Sequence, residues 1–67
     1  MYNKERFSLA VERSGMKKRF IAEQLSMAYD TFLKKSDGVV AWKCDEAQMV
    51  SKVLGISRTE RDAIFFA

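Results

Sequence analysis

The sequence contains no histidine and no proline, one cysteine and three glycines among its 67 residues. Without proline and with little glycine, the chain has few residues that favour tight turns, so the composition favours helices over a turn-rich sheet. The single cysteine, Cys44, cannot form an internal disulfide, and small secreted domains usually carry several. We therefore expect a reducing compartment, the cytoplasm, and no zinc site, since zinc is held mainly by His and Cys ligands.

The sequence also lacks the residue groupings on which catalysis depends. It has no Ser–His or Cys–His pair and no glycine-rich phosphate loop. Asp45 and Glu46 are adjacent, so on a helix their carboxylates point about 100° apart, which does not suit paired acid–base work. No apolar run is long enough to cross a membrane, and the charged residues 1–6 do not start a signal peptide. We expect a protein that is not an enzyme, with no cofactor, no small-molecule substrate and no membrane contact.

Apolar residues, by contrast, are plentiful enough for a compact core. They make up 48% of the chain and include five Phe, two Tyr and one Trp, which argues against disorder. Their spacing predicts a single all-α domain, residues 1–67, with five helices at about 4–14, 17–25, 29–36, 44–54 and 58–66.

Residues typical of helix ends flank several of these segments. Asn3 is the expected N-cap of the first helix, Gly15 and Gly55 are expected to end the first and fourth helices, and Ser57 to Glu60 fits a capping box. Residues 39–42 are expected to form an extended loop with Trp42 packed on the helices. The expected core residues are Phe7, Met16, Ile21, Leu25, Met27, Phe32, Val50, Leu54, Ile56 and Ile64.

Positive charge is concentrated in one part of the chain. Residues 13–35 carry six cations and two anions, a balance of +4, whereas residues 1–12 are neutral and residues 36–67 carry −1. The +4 segment covers the second and third predicted helices, which are joined by a short turn. A short helix pair with a basic shoulder and a polar second helix has the form of a helix-turn-helix, whose second helix can enter a DNA major groove.

Residues 20–38 resemble the helix-turn-helix of the lambda-repressor-like, Cro-type family of phage regulators. The residues that carry the resemblance are Ile21-Ala22-Glu23-Gln24-Leu25, Met27, Thr31-Phe32 and Asp37-Gly38. The segment from Ala47 to Ser57 is similar to the family's fourth helix and its exit, and the ending Ile64-Phe65-Phe66 resembles small Cro and antirepressor proteins of Gram-positive phages. The resemblance implies a five-helix DNA-binding domain in the bacterial cytoplasm or nucleoid.

The resemblance also implies roles for individual residues. Lys18 matches a position that contacts phosphates, and Ala22 matches the small residue that lets the second and third helices approach closely. Residues expected to contact base edges or a partner are Tyr29, Asp30, Thr31, Leu33 and Lys34. Residues expected to bind phosphates are Lys17, Lys18, Arg19, Lys35 and Lys43.

Simpler roles remain open for three of these residues. Tyr29 could pack on the turn, Thr31 could hydrogen-bond to its own helix, and Lys43 could simply be solvated. Three positions depart from the family pattern. Ser26 replaces the usual turn glycine, Ala28 replaces the usual Ser or Thr cap, and Asp30 places a negative charge where DNA is expected.

Two functions follow from the pattern. In the first, the protein is a regulator that binds double-stranded operator DNA as a homodimer, with Ile64, Phe65 and Phe66 as the candidate dimer surface, unless Phe65 is core and only Phe66 is exposed. In the second, it is an antirepressor that binds a phage repressor protein through Tyr29, Asp30 and Leu33.

Overall fold

Five α-helices and no β-strand are present in residues 1–66, the part of the chain that the computed structural model describes. The helices are α1 (Lys4–Ser14), α2 (Lys18–Gln24), α3 (Tyr29–Ser36), α4 (Cys44–Leu54) and α5 (Arg58–Phe65). The all-α prediction is confirmed, and the predicted bounds differ from these by at most one residue at an end. No helix in this part of the chain combines the length and apolar character needed to cross a bilayer.

Side chains cap the helices at the ends that the sequence predicts. Asn3 Oδ1 accepts a hydrogen bond from the Arg6 N–H at 3.0 Å, and Ser57 Oγ accepts one from the Glu60 N–H at 3.1 Å. Only half of the predicted capping box forms, because the Glu60 carboxylate turns outward and pairs with Arg13 of α1. This ion pair joins α1 to α5 on the surface.

Aromatic rings form the centre of the core. Phe7 of α1 lies 5.4 Å from Trp42 and 6.2 Å from Phe32 of α3, measured between ring centroids. Phe65 of α5 lies 5.5 Å from Trp42, so one cluster connects α1, α3, α5 and the loop before α4. Trp42 packs on the helices as predicted, whereas Val39 of the same loop is exposed.

Most of the predicted core is found inside. Six of the predicted residues are buried, and the other four are partly exposed but pack against them. The buried six are Phe7, Ile21, Phe32, Val50, Leu54 and Ile64, and the four at the edge are Met16, Leu25, Met27 and Ile56.

The predicted dimer surface at residues 64–66 is wrong for two of its three members. Ile64 is fully buried, and Phe65 is only 9% exposed because its ring belongs to the aromatic cluster. The Ile64 carbonyl also accepts a hydrogen bond from the Asn3 N–H at 2.6 Å, which ties α5 to the start of α1. Only Phe66 is exposed, as in the alternative that the sequence left open.

Candidate nucleic-acid interface

A four-residue turn, residues 25–28, joins α2 to α3. The Ser26 N–H donates to the Glu23 carbonyl and the Met27 N–H donates to the Ala22 carbonyl, each at 3.0 Å. This pair of bonds is the Schellman arrangement, which requires a left-handed residue at its centre. Ser26 has φ 53°, the one positive φ outside glycine among residues 1–66. Serine therefore occupies the left-handed position of this turn, at a conformational cost that a glycine would largely avoid.

The start of α3 lacks a side-chain cap. Ala28 has the extended conformation of an N-cap residue, with φ −61° and ψ 141°, but its methyl group accepts no hydrogen bond. Asp30 in the first turn supplies a negative charge that suits the N-terminal end of the helix dipole. The first turn of α3 is thus stabilised by charge rather than by a cap.

The outer face of α3 is polar and partly accessible. Asp30 and Lys34, one helical turn apart, are exposed, while Tyr29, Thr31 and Leu33 are half-buried. The Thr31 hydroxyl makes no hydrogen bond with any of residues 1–66, so the back-bonded alternative is not formed. All five predicted contact residues thus retain some solvent access, and Asp30 and Lys34 are the most accessible of them.

The Tyr29 ring forms a cation–π contact with Arg19 of α2. The Arg19 guanidinium lies over the Tyr29 ring, with Cζ 4.5 Å from the ring centroid, and the ring also packs against the core. The Tyr29 ring is therefore half-buried against Arg19 and the core, and a contact with DNA stays a prediction. A cation stacked on an aromatic face in this way is held in a defined position, so Arg19 is fixed beside the first residue of α3.

Lys35 does not belong to the phosphate-binding set. Its side chain is buried, and its Nζ donates to Glu46 Oε1 at 2.5 Å and to the Ala41 carbonyl at 3.4 Å. The reason is helical geometry: Lys35 lies three residues after the buried Phe32 and so shares its inward face. That spacing was the signal available in the sequence.

Glu46 is the centre of a small polar junction between α3 and α4. Its Oε1 also accepts a hydrogen bond from the Lys43 N–H at 2.9 Å. Burial opposes the charge on the carboxylate, but the hydrogen bonds from Lys35 and Lys43 and their positive charges outweigh it and lower the pKa of Glu46 below its ordinary value of 4.5. The junction fixes the end of α3 against the start of α4.

Five of the predicted cations remain available to an outside anion. They are exposed, and none forms an ion pair with another of residues 1–66: Lys17, Lys18, Arg19, Lys34 and Lys43. Lys18 lines a groove of about 260 Å³ together with Ser36 and Asp37 at the end of α3, whereas Arg19 contacts its start. The cations of α2 thus lie near both ends of α3.

The first turn of α2 has no acidic residue to offset these cations. Positive charge at a helix N-terminus opposes the helix dipole, so the arrangement costs some stability. Sequence reasoning found these residues but missed the contact between Arg19 and Tyr29. Ten positions separate the two residues, and no local pattern signals a contact at that distance.

No family model, curated protein or solved structure was found to match this chain.

Proposed function

We propose that this protein is a helix-turn-helix transcription regulator of the Cro-repressor type that binds operator DNA, with α3 in the major groove. The observation that carries the proposal is the unit formed by α2, the turn and α3. The hydrogen-bonded turn holds the polar helix α3 at the surface. Cations that form no ion pair within residues 1–66 lie near both ends of α3. A helix has the diameter that a major groove admits, and its outer side chains then meet base edges.

In this proposal the side chains have different tasks. Lys17, Lys18 and Arg19 bind phosphates, which fixes the orientation of α3 without reading sequence. Lys34 can donate to guanine O6 or N7, and Asp30 can accept from the N4 amino group of cytosine. Tyr29 acts mainly by holding Arg19. The Lys35 ammonium takes no part, because Glu46 already neutralises it.

A homodimer on a palindromic site is part of the proposal. One module of this size covers a single half-site, and its affinity for a half-site is modest. Two copies related by a twofold axis read the two halves of a palindrome, at a spacing of about one helical turn of DNA. The proposed setting is the cytoplasm of a bacterium that carries the phage or prophage.

Selection from a library of random duplexes tests the proposal and does not require the operator to be identified first. We expect one family of related sites to be enriched. Asp30→Asn should change the preferred base at one position per half-site. It should also raise the affinity for unrelated duplexes a few-fold, because the substitution removes a carboxylate that repels the phosphates. Asp45→Asn on α4 is the matched control and should select the same sites as the native protein. Recovery of no common site would contradict the proposal.

A repressor-binding antirepressor is the second candidate. The observation that favours it is the mixed character of the α3 surface, where exposed Asp30 lies beside partly exposed Leu33 and Tyr29. Such a mixture suits a protein partner, and Asp30 repels phosphates. Here Asp30→Asn should weaken co-elution with the repressor encoded by the same phage. Asp30→Asn should therefore raise the affinity for unrelated DNA if the first function is right, and lower the affinity for the repressor if the second is right. One variant thus separates the two functions.

A further inference from the structure

The Tyr2 side chain reaches from the segment before α1 to the end of α3. Its hydroxyl donates a hydrogen bond to the Ser36 carbonyl at 2.8 Å, across 34 positions of the sequence. Its half-buried ring packs among the aromatic residues of the core, 6.0 Å from Phe7 and 5.8 Å from Phe65 between ring centroids. The core therefore holds the hydroxyl in a defined position beside the last turn of α3.

The backbone that carries Tyr2 is fixed by the residue that follows it. Asn3 caps α1 through its side chain, and its N–H donates to the Ile64 carbonyl of α5 at 2.6 Å. The segment before α1 is therefore attached to α1 and α5, and the Tyr2 hydroxyl connects it to α3. Because the donor is held by two other helices, this hydrogen bond can limit the movement of α3.

The contact also completes the hydrogen bonding at the end of α3. The last four carbonyls of a helix have no partner within the helix. Here the carbonyls of residues 33–35 accept hydrogen bonds from N–H groups of residues 37–40, so their partners are local. The Ser36 carbonyl accepts one from Tyr2 instead. The closure of α3 therefore depends in part on a distant segment of the chain.

The last turn of α3 carries Lys34, one of the two residues to which the proposed function gives a contact with base edges. Such a contact requires the side chain to be held within about 0.5 Å of its productive position. The attraction between the cations of α2 and phosphates varies slowly with distance and tolerates changes in orientation. A small displacement of the end of α3 therefore affects base readout more than it affects DNA binding in general.

We propose that Tyr2 is a positioning residue for DNA recognition: its hydroxyl, through the Ser36 carbonyl, fixes the position of α3 in the major groove and touches no DNA itself. Its effect is on the discrimination between sequences, because phosphate contacts orient the protein but carry no sequence information. The role in discrimination rests on the proposed function, whereas the attachment of α3 by Tyr2 does not.

Amide hydrogen exchange of Tyr2→Phe, followed by NMR without DNA, tests the attachment. The substitution keeps the ring and removes only the hydroxyl. We expect the amides of residues 37–39 to exchange about three- to tenfold faster, the effect of losing one hydrogen bond. The amides of Gly55 and Ile56, which close α4 through the same pattern of bonds, should not change. Equal acceleration at the ends of both helices, or none at the end of α3, would overturn the proposal.

The ratio of two DNA affinities tests the role in recognition. Tyr2→Phe should lower the affinity for a site selected by the native protein about three- to tenfold. Its affinity for unrelated duplexes, and the salt dependence of that affinity, should stay unchanged, because both come from phosphate contacts. A substitution that merely destabilised the fold would lower both affinities together.

Ser51→Ala is the matched control for both measurements. It also removes one hydrogen bond from a hydroxyl to a backbone carbonyl, from Ser51 Oγ to the Ala47 carbonyl at 2.7 Å, but within α4. It should change neither the exchange of residues 37–39 nor the affinity ratio. An equal loss of affinity of Tyr2→Phe for both kinds of duplex, or the same change of ratio in Ser51→Ala, would overturn the proposal.

The outcomes distinguish this proposal from the proposed function. If random duplexes yield no common site, the proposed function fails, and with it the role of Tyr2 in recognition, while exchange alone decides whether Tyr2 holds α3. If a common site is found and Tyr2→Phe leaves the affinity ratio unchanged, the proposed function stands and the positioning role is wrong.

Discussion

At the scale of the residue, Lys34 and Lys35 show what a sequence pattern can predict. Both are lysines near the end of α3, and sequence reasoning assigned them similar surface roles. Lys34 is exposed, while Lys35 is buried against Glu46. The spacing from Phe32 distinguishes the two faces, but Glu46, the partner of Lys35, lies eleven residues away on another helix and has no local signal. The spacing is enough to predict that Lys34 faces solvent and Lys35 faces the core. It is not enough to predict that Glu46 neutralises Lys35.

Ser26 offers a prediction about the turn itself. Its left-handed backbone costs about 1–2 kcal/mol in a residue with a Cβ, and a glycine avoids most of that cost while losing some entropy on folding. We expect Ser26→Gly to raise the free energy of unfolding by roughly 0.5–1 kcal/mol, which is a few degrees in the melting temperature of a chain this small. Thermal unfolding followed by circular dichroism measures the change.

Gly55 provides the reverse substitution, from glycine to serine, as a control. It has φ 69° in a similar helix ending, where the Ile56 N–H donates to the Ser51 carbonyl, and an added Cβ would meet no heavy atom within 4 Å. Gly55→Ser should therefore lower stability by an amount similar to the gain at Ser26. If Ser26→Gly destabilises the chain, the account of the turn as conformationally strained is wrong.

At the scale of the element, the helices and their end signals were predictable to within a residue, because capping residues and apolar spacing are local. The attachment of α3 to the rest of the molecule was not. That attachment depends on the contact of Arg19 with Tyr29 and on the junction of Lys35 with Glu46, both of which join different helices. The geometry of the candidate site is set by these contacts, so it had to come from the structure.

The junction at Glu46 predicts how stability depends on pH. Because the folded pKa of Glu46 lies below 4.5, its ionised form stabilises the fold above that pH, and the contribution is lost as the pH falls through the folded value. Glu46→Gln should be less stable than the native chain at pH 7, and the difference should shrink as the pH falls below 4.5. Urea unfolding at a series of pH values measures it.

A double-mutant cycle with Lys35→Met assigns the effect to this pair. The coupling between positions 35 and 46 should be about 0.5–3 kcal/mol at pH 7, as for other contacting residues in a network. The Met side chain fills similar apolar space, so loss of packing contributes little. A stability difference between the native chain and Glu46→Gln that stays constant with pH would argue against a charged junction.

At the scale of the whole molecule, the all-α architecture followed from composition and spacing, but the surface did not. The apolar ending at residues 64–66 has the same appearance in sequence whether it faces inward or outward. Phe65 points inward because its ring packs against the rings of Phe7 and Trp42. No local sequence pattern indicates these contacts. Phe66 instead lines a groove with Val39 and Val40, which are exposed and lie far from it in sequence.

The proposed function requires that α3 and the cations near it form a DNA-binding surface. Titration of a fluorescent duplex at a series of salt concentrations tests it most directly, because phosphate contacts do not require the operator sequence. The logarithm of the affinity should fall linearly with the logarithm of salt concentration, with a slope of about −0.9 for each phosphate contacted. Lys17→Ala and Lys18→Ala should each make the slope shallower by about one, while Lys52→Ala, an exposed lysine on α4, should leave it unchanged. Binding that does not respond to salt, or equal slopes for all three variants, would contradict the account.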